Sequence, residues 1–154
     1  MTRVLGFRAE PSGARYAVVD HDGTKFKLVN RATESRLVFP ATLTEAPDKV
    51  LWLHREIKRI FHADTDIERV VIKTNEFVMR ETGAKRVSAY IEAAVMLYCA
   101  EHKIPVTTKT YASLATSSSA SKSDAEQRVG KTLKYWDAKI ADAILAACWG
   151  VEHQ

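Results

Sequence analysis

Cysteine is scarce in this chain. The two that occur, Cys99 and Cys148, lie in apolar helical stretches with no Cys-x-x-Cys spacing. The spacing offers no zinc site, and both read as buried free thiols. Long apolar runs are missing too: none approaches the roughly 18 residues of a membrane span. The first apolar run is only a strand long and charged residues follow it at once, so no signal peptide is expected. The five histidines (21, 54, 62, 102 and 153) are scattered, and no two share one helix face at i, i+4. His54 falls on an apolar helix stripe and reads as a core residue. No Gly-x-Gly-x-x-Gly or Gly-Lys-Ser/Thr loop occurs, so nucleotide use has no motif behind it. There are no internal repeats and no interdomain linker. These absences lead to the expectation of a soluble, cytoplasmic protein without a membrane partner.

A chain of 154 residues that is 46% apolar and 27% charged suits one globular domain, taken here as residues 1–154. The net charge of +4 permits a polyanionic partner without requiring one.

Residues 3–9 form a short apolar run ended by the turn residues Pro11, Ser12 and Gly13. Tyr16 to Asp20 reads as a second strand, and Asp22-Gly23 supplies a hairpin turn. Lys25 to Asn30 alternates in polarity as a third antiparallel strand does. Arg36 to Phe39 extends this meander or adds an edge. Pro47 and Asp48 open a helix whose stripe is Val50, Leu53, His54, Ile57, Ile60 and Phe61. Val70-Val71-Ile72 is the β-branched run of a strand covered on both faces. A polar loop over 74–84 precedes a long helix over 85–102. Pro105 to Thr108 forms a short strand. Residues 111–123 contain five serines between 117 and 123 and read as a mobile loop. Ser123 and Asp124 are candidate caps of a helix reaching about Tyr135, and Asp137 caps the last helix. Three antiparallel strands followed by alternating helices and strands predict an α/β fold. Its sheet is mixed and five-stranded, three antiparallel strands then two parallel, with helices on both faces.

Val4-Leu5-Gly6-Phe7, Val70 to Ile72, the helix from Ala84 to Val95, Pro105-Val106, Lys122 to Val129 and Ala141 to Ala147 occur in the order of a known family. Together they resemble the RuvC-type Holliday-junction resolvases of the ribonuclease-H-like superfamily, over nearly the whole chain. The resemblance implies a ribonuclease-H-like fold and DNA cleavage by divalent metal on four carboxylates. Two Mg²⁺ ions about 4 Å apart would bridge the scissile phosphate. Matched residue by residue, however, the first acid is Arg8, the second Lys73 and the third Lys139. Only Asp142 keeps the family's residue. Unit charges about 4 Å apart interact by roughly 4 kcal/mol at an effective dielectric near 20, so three cations around one carboxylate oppose a metal pair.

Three readings stay open. The first is a catalytically degenerate RuvC-like domain, without a metal cofactor, that binds branched or duplex DNA or RNA. Arg8, Lys73 and Lys139 would mark its altered site, and Lys85, Arg86, Lys109, Lys122, Arg128 and Lys131 are its candidate nucleic-acid contacts. Lys103 extends the same set, and Tyr111 either stacks a base or packs in the core. The second is an active Mg- or Mn-dependent endonuclease with a displaced set, Glu10, Glu76, Asp137 and Asp142. The third is a non-catalytic interaction scaffold, including a homodimer through helix 85–102. In the plainest case Arg8, Lys73, Lys139 and Asp142 form only a buried ion-pair cluster.

Overall fold

The computed structural model describes residues 2–77 and 79–154. The first two strands, β1 (Thr2–Glu10) and β2 (Gly13–His21), form the long central hairpin, in register from Thr2 opposite His21 to Glu10 opposite Gly13. β3 (Phe26–Leu28) and β4 (Arg36–Val38) both pair with the outer edge of β2, β3 near its end and β4 near its start. Helix α1 (Ala46–Ala63) then crosses to β5 (Ile67–Lys73), parallel to β1. Helix α2 (Gly83–Glu101) crosses to β6 (Val106–Lys109), parallel to β5. A 3-10 turn (Ala112–Leu114), α3 (Ser121–Val129) and α4 (Ala138–Glu152) follow. The sheet runs β3-β2-β1-β5-β6, with β4 beside β3 on the same edge. The sixth strand, β4, falls in the segment over 36–39, whose local pattern suits an extension of the meander or an edge.

The period of two along each strand sorts the core into two layers. Leu5, Phe7, Ala9, Tyr16, Val18, Val70 and Ile72 pack on α1 and α2. Val4, Ala17, Val19 and Val71 pack on α4. The α1 stripe Leu53, Ile57, Ile60 and Phe61 is buried as its spacing predicts. His54 lies at the seam between α1 and α2, its Nε2 3.0 Å from Glu101 and its ring edge-on to Tyr98.

Four expectations change. The third strand stops at Leu28 because the Asn30 side chain takes over the edge pairing. Its Oδ1 accepts from the Val18 N–H at 2.8 Å, and its Nδ2 donates to the Tyr16 and Glu34 carbonyls. That releases the chain to re-enter as β4. Residues 111–123 are not a featureless loop: Leu114 is buried and Thr116 Oγ1 donates to Asp124 at 2.5 Å. Neither Ser123 nor Asp124 caps α3. The helix begins at Ser121, and Ser117 Oγ accepts from the Ala120 N–H instead. α3 ends at Val129 rather than near Tyr135, because Gly130 turns the chain at φ +79°.

α4 lies directly on β1. A Cβ placed on Gly6 would stand 1.8 Å from the Ala143 carbonyl oxygen and 2.7 Å from the Ala147 nitrogen. Only glycine permits this backbone-to-backbone seat, and the seat sets where the first turns of α4 fall over the end of β1. Gly6→Ala should therefore lift α4 and cost about 3 kcal/mol as overpacking. For a domain of this size that lowers the melting temperature by roughly 10 °C. Thermal unfolding by circular dichroism measures it, and an unchanged melting temperature would contradict the seat.

Candidate functional site

The ends of β1 and β5 meet the first turns of α4 and the segment after β6. The alternation that sends Val4 and Gly6 toward α4 also sends Arg8 there, and Val71 carries Lys73 the same way. Arg8 Nε donates to Asp142 Oδ2 at 3.0 Å, and its Nη1 donates to the Lys73 carbonyl at 3.3 Å. The Tyr111 hydroxyl donates to the same Asp142 oxygen at 2.9 Å. The Lys73 ammonium lies 3.8 Å from the centre of the Tyr111 ring, pairs with Glu76 Oε1 at 3.0 Å and donates to the Thr74 carbonyl. Glu76 Oε1 also accepts from the Tyr111 N–H at 2.7 Å. One connected network thus runs Glu76–Lys73–Tyr111–Asp142–Arg8.

This network is closed to solvent at its centre. Arg8 is 5% exposed, Lys73 0% and Asp142 1%. Burial pushes the Asp142 carboxyl up against the opposing pull of Arg8. Burial and the neighbouring Arg8 push the Lys73 ammonium down. Burial and the Asp142 charge raise the Tyr111 phenol to about 12. Tyr111 is therefore a neutral hydrogen-bond donor, occupied by Asp142.

The displaced acids do not assemble. Glu10 and Asp137 both pair with Arg15, Asp137 at 2.9 Å, and Asp137 also caps α4 through the Ile140 N–H at 2.9 Å. Burial works against the Asp137 charge, but that cap and Arg15 hold its carboxyl below the usual range. Glu76 belongs to Lys73 and Tyr111. Among the described residues no group of three His, Cys, Asp or Glu could hold a metal ion. A two-metal centre needs converging carboxylates, and here every candidate carboxylate is already engaged by a cation. The donor set does not fit the metal pair.

The sequence matching led to the expectation of three cations around one anion. The structure corrects that balance: Asp142 pairs with Arg8, Glu76 pairs with Lys73, and Arg15 joins the site holding Glu10 and Asp137, while Lys139 makes no ion pair among the described residues. Lys139 is half-buried beside Arg8 and Asp142; burial and then Arg8 push its ammonium down.

Register reveals a wider pattern. Arg36 pairs with Arg15, Arg15 with Arg8, and Lys73 with Lys109, while Arg8 and Lys73 each stand one residue past the paired Phe7 and Ile72. Five cations form one row across β4, β2, β1, β5 and β6. Lys109 completes it, its ammonium 3.8 Å from the Trp149 ring.

The other predicted contacts are dispersed. Arg86 pairs with Glu81, Arg128 with Glu152 and Lys131 with Glu126. Lys103 and Lys122 are exposed. Lys85 borders an open groove of about 370 Å³ with Thr74, Glu76, Phe77 and Glu92.

Arg15, Arg36, Glu92 and Phe77 escaped the sequence reading. Glu92 is half-buried, with its carboxyl raised by burial despite Arg8 and Lys73. Its one sequence signal is that it is the lone acid in the otherwise apolar run from Ile91 to Ala100. Phe77 is 94% exposed, four residues after Lys73. An aromatic inside the polar stretch 74–84 was its signal.

Removing one member of a buried pair strands the other, a loss of about 3–5 kcal/mol, whereas an apolar replacement of both can be neutral. Arg8→Met should therefore lower the melting temperature by roughly 10 °C, and Arg8→Met with Asp142→Leu should recover most of it. A double variant as unstable as the sum of the singles would contradict the pairing.

No protein-family model matches the chain. No curated protein matches it by sequence. Solved structures do. RuvC from T. thermophilus in complex with a Holliday junction substrate superposes with a TM-score of 0.77 at 17% identity, over 96% of this chain and 90% of that one. The structure of Thermus thermophilus RuvC gives 0.73 at 18%, over 95% and 91%. The yeast mitochondrial Holliday junction resolvase gives 0.61 at 12%, over 96% and 77%. The sheet order, the seat of α4 and these superpositions together establish that the chain has a RuvC-like, ribonuclease-H-like fold.

Proposed function

We propose that this chain is a non-cleaving RuvC-like domain that binds branched or duplex nucleic acid without a metal cofactor. One observation carries the reading: the positions matched to the metal ligands hold Arg8, Lys73 and Lys139, and Arg8 and Lys73 are tied into a buried ion-pair network around Asp142. The likeness to a RuvC bound to a Holliday junction supports the ligand class. Exposed Phe77 supports it from the side of chemistry, since a solvent-facing ring beside a basic helix start is a stacking platform for a base. Lys85 and Lys122 supply phosphate-facing charge near the starts of α2 and α3. With Arg8 and Lys73 sealed, contact falls to exposed Phe77 and Lys122 and half-buried Lys85 rather than to the site's centre.

α2 supports a homodimer. Its outward face is apolar: Ala89, Tyr90, Ala93, Met96, Leu97 and Ala100 are all exposed, Leu97 by 52%. A helix apolar on all sides is normally covered, and the alanines allow a second α2 to approach closely.

Fluorescence anisotropy on a four-way junction and a duplex, in EDTA and in Mg²⁺, tests the binding. Affinity should be equal in the two and fall with salt. Phe77→Ala should weaken it about tenfold, and Lys85→Glu with Lys122→Glu should weaken it further. Absence of salt-sensitive binding would sink the reading; Mn²⁺-dependent cleavage lost in Asp142→Ala would replace it with the active nuclease. Light scattering should give the mass of two chains at micromolar concentration, and Ala93→Arg should give one. A wild-type monomer would exclude the dimer.

A further inference from the structure

Arg36 stands at the outer end of the cationic row and differs from its companions. Arg15 is held by Glu10 and Asp137, Arg8 by Asp142, Lys73 by Glu76, and Lys109 rests on Trp149. Arg36 lies over the Tyr135 ring, 5.3 Å to its centre, and its Nε is fully buried with no hydrogen-bond partner among the described residues. That nitrogen is sealed from solvent and so from a ligand; what a ligand can reach is the rest of the guanidinium, which no carboxylate among the described residues pairs with. The group opens onto a groove of about 440 Å³ between β4 and α1, lined also by Glu34, Trp52, Glu56 and Arg59.

The charges of that groove define the ligand. Arg59 Nη2 holds both carboxylates, Glu34 at 2.7 Å and Glu56 at 2.5 Å, and Glu34 also accepts from the Tyr16 hydroxyl at 2.7 Å. The two acids are thus spent on Arg59 and not on Arg36. They also set a limit, because a ligand with several anionic groups would meet them. Trp52 and Tyr135, the latter 46% exposed, line the groove with aromatic side chains. The volume lies within the range of small-molecule sites.

We infer that this groove binds a single phosphate monoester carried by an aromatic base, with the Arg36 guanidinium on the phosphate and Tyr135 and Trp52 beside the base. Arg36 offers a planar donor fork that matches phosphate oxygens in pairs. The source is either a free nucleoside monophosphate or the phosphorylated end of a nucleic-acid strand. Only the strand-end source rests on the nucleic-acid reading above.

The test uses the full chain and three probes: adenosine monophosphate, a short single strand with a 5′-phosphate, and the same strand with a 5′-hydroxyl. Calorimetry follows the first, and anisotropy compares the other two. A charge-assisted contact of this kind corresponds to about a tenfold preference. The free-nucleotide source gives binding of adenosine monophosphate that is lost in Arg36→Gln. The strand-end source gives about tenfold tighter binding of the phosphorylated strand, erased in Arg36→Gln while the hydroxyl strand binds as before. Tyr135→Ala, on the exposed rim, should weaken either without a change in melting temperature, which separates the effect from loss of fold. Wild-type protein that neither binds the monophosphate nor distinguishes the two strands overturns the inference. Loss of junction binding together with retained monophosphate binding would overturn the proposed function and leave this site standing.

Discussion

The backbone of α4 rests on the backbone of β1 at Gly6, and the meeting of Arg8 with Asp142 follows from that contact. With no side chain between them, helix and strand approach until the Ala143 carbonyl fills the space where a Cβ would be. Asp142 stands one residue before Ala143 on the helix and Lys139 one turn before it, and two residues past Gly6 on the strand comes Arg8. The buried Arg8–Asp142 pair results from this geometry. Gly150 repeats the device further along the helix, where a Cβ would stand 2.7 Å from the side chains of Val4 and Val71.

The cationic row is the second constraint. Adjacent strands run about 4.8 Å apart, so five cations in register occupy a line roughly 19 Å long. Like charges directly opposite each other on neighbouring strands are unfavourable. The fold tolerates the row by supplying each member with a counterpart from outside the sheet. Asp142 comes from α4, Asp137 from the cap before it, Glu76 from the segment after β5, and Tyr111, Trp149 and Tyr135 offer ring faces. The carboxylates that a metal pair would require are the ones engaged in this compensation. Buried charges of this kind contribute little net stability when paired but cost much when one partner is removed. The network therefore holds the C-terminal ends of β1 and β5 in one arrangement more than it adds to overall stability.

Several elements were legible from local pattern. The β-branched run of β5, the stripe of α1 and the Asp137 cap each encode their element within a few residues. The misread parts depend on distant contacts. The end of β3 is set by the Asn30 amide reaching back to β2, a contact that local alternation does not encode. The order of the serine-rich segment comes from Leu114 entering the α4 layer and Thr116 reaching Asp124, neither of which its composition shows. The stop of α3 is marked by Gly130 alone, in a polar stretch that otherwise continues the helical pattern.

The sequence by itself determined the order of elements and the identity of the residues at the matched site: Arg8, Lys73 and Lys139 where acids would stand, with Asp142 retained. Those are properties of position along the chain. Which charges meet was decided only by tertiary structure. Arg15 and Arg36 join the row through strand register. Glu10 and Asp137 turn to Arg15 rather than to Asp142. Glu76 neutralises Lys73, and the Tyr111 hydroxyl closes on Asp142. The reason is physical: the energy of a charge depends on distance and burial, and both are fixed by how the strands align and where α4 comes to rest.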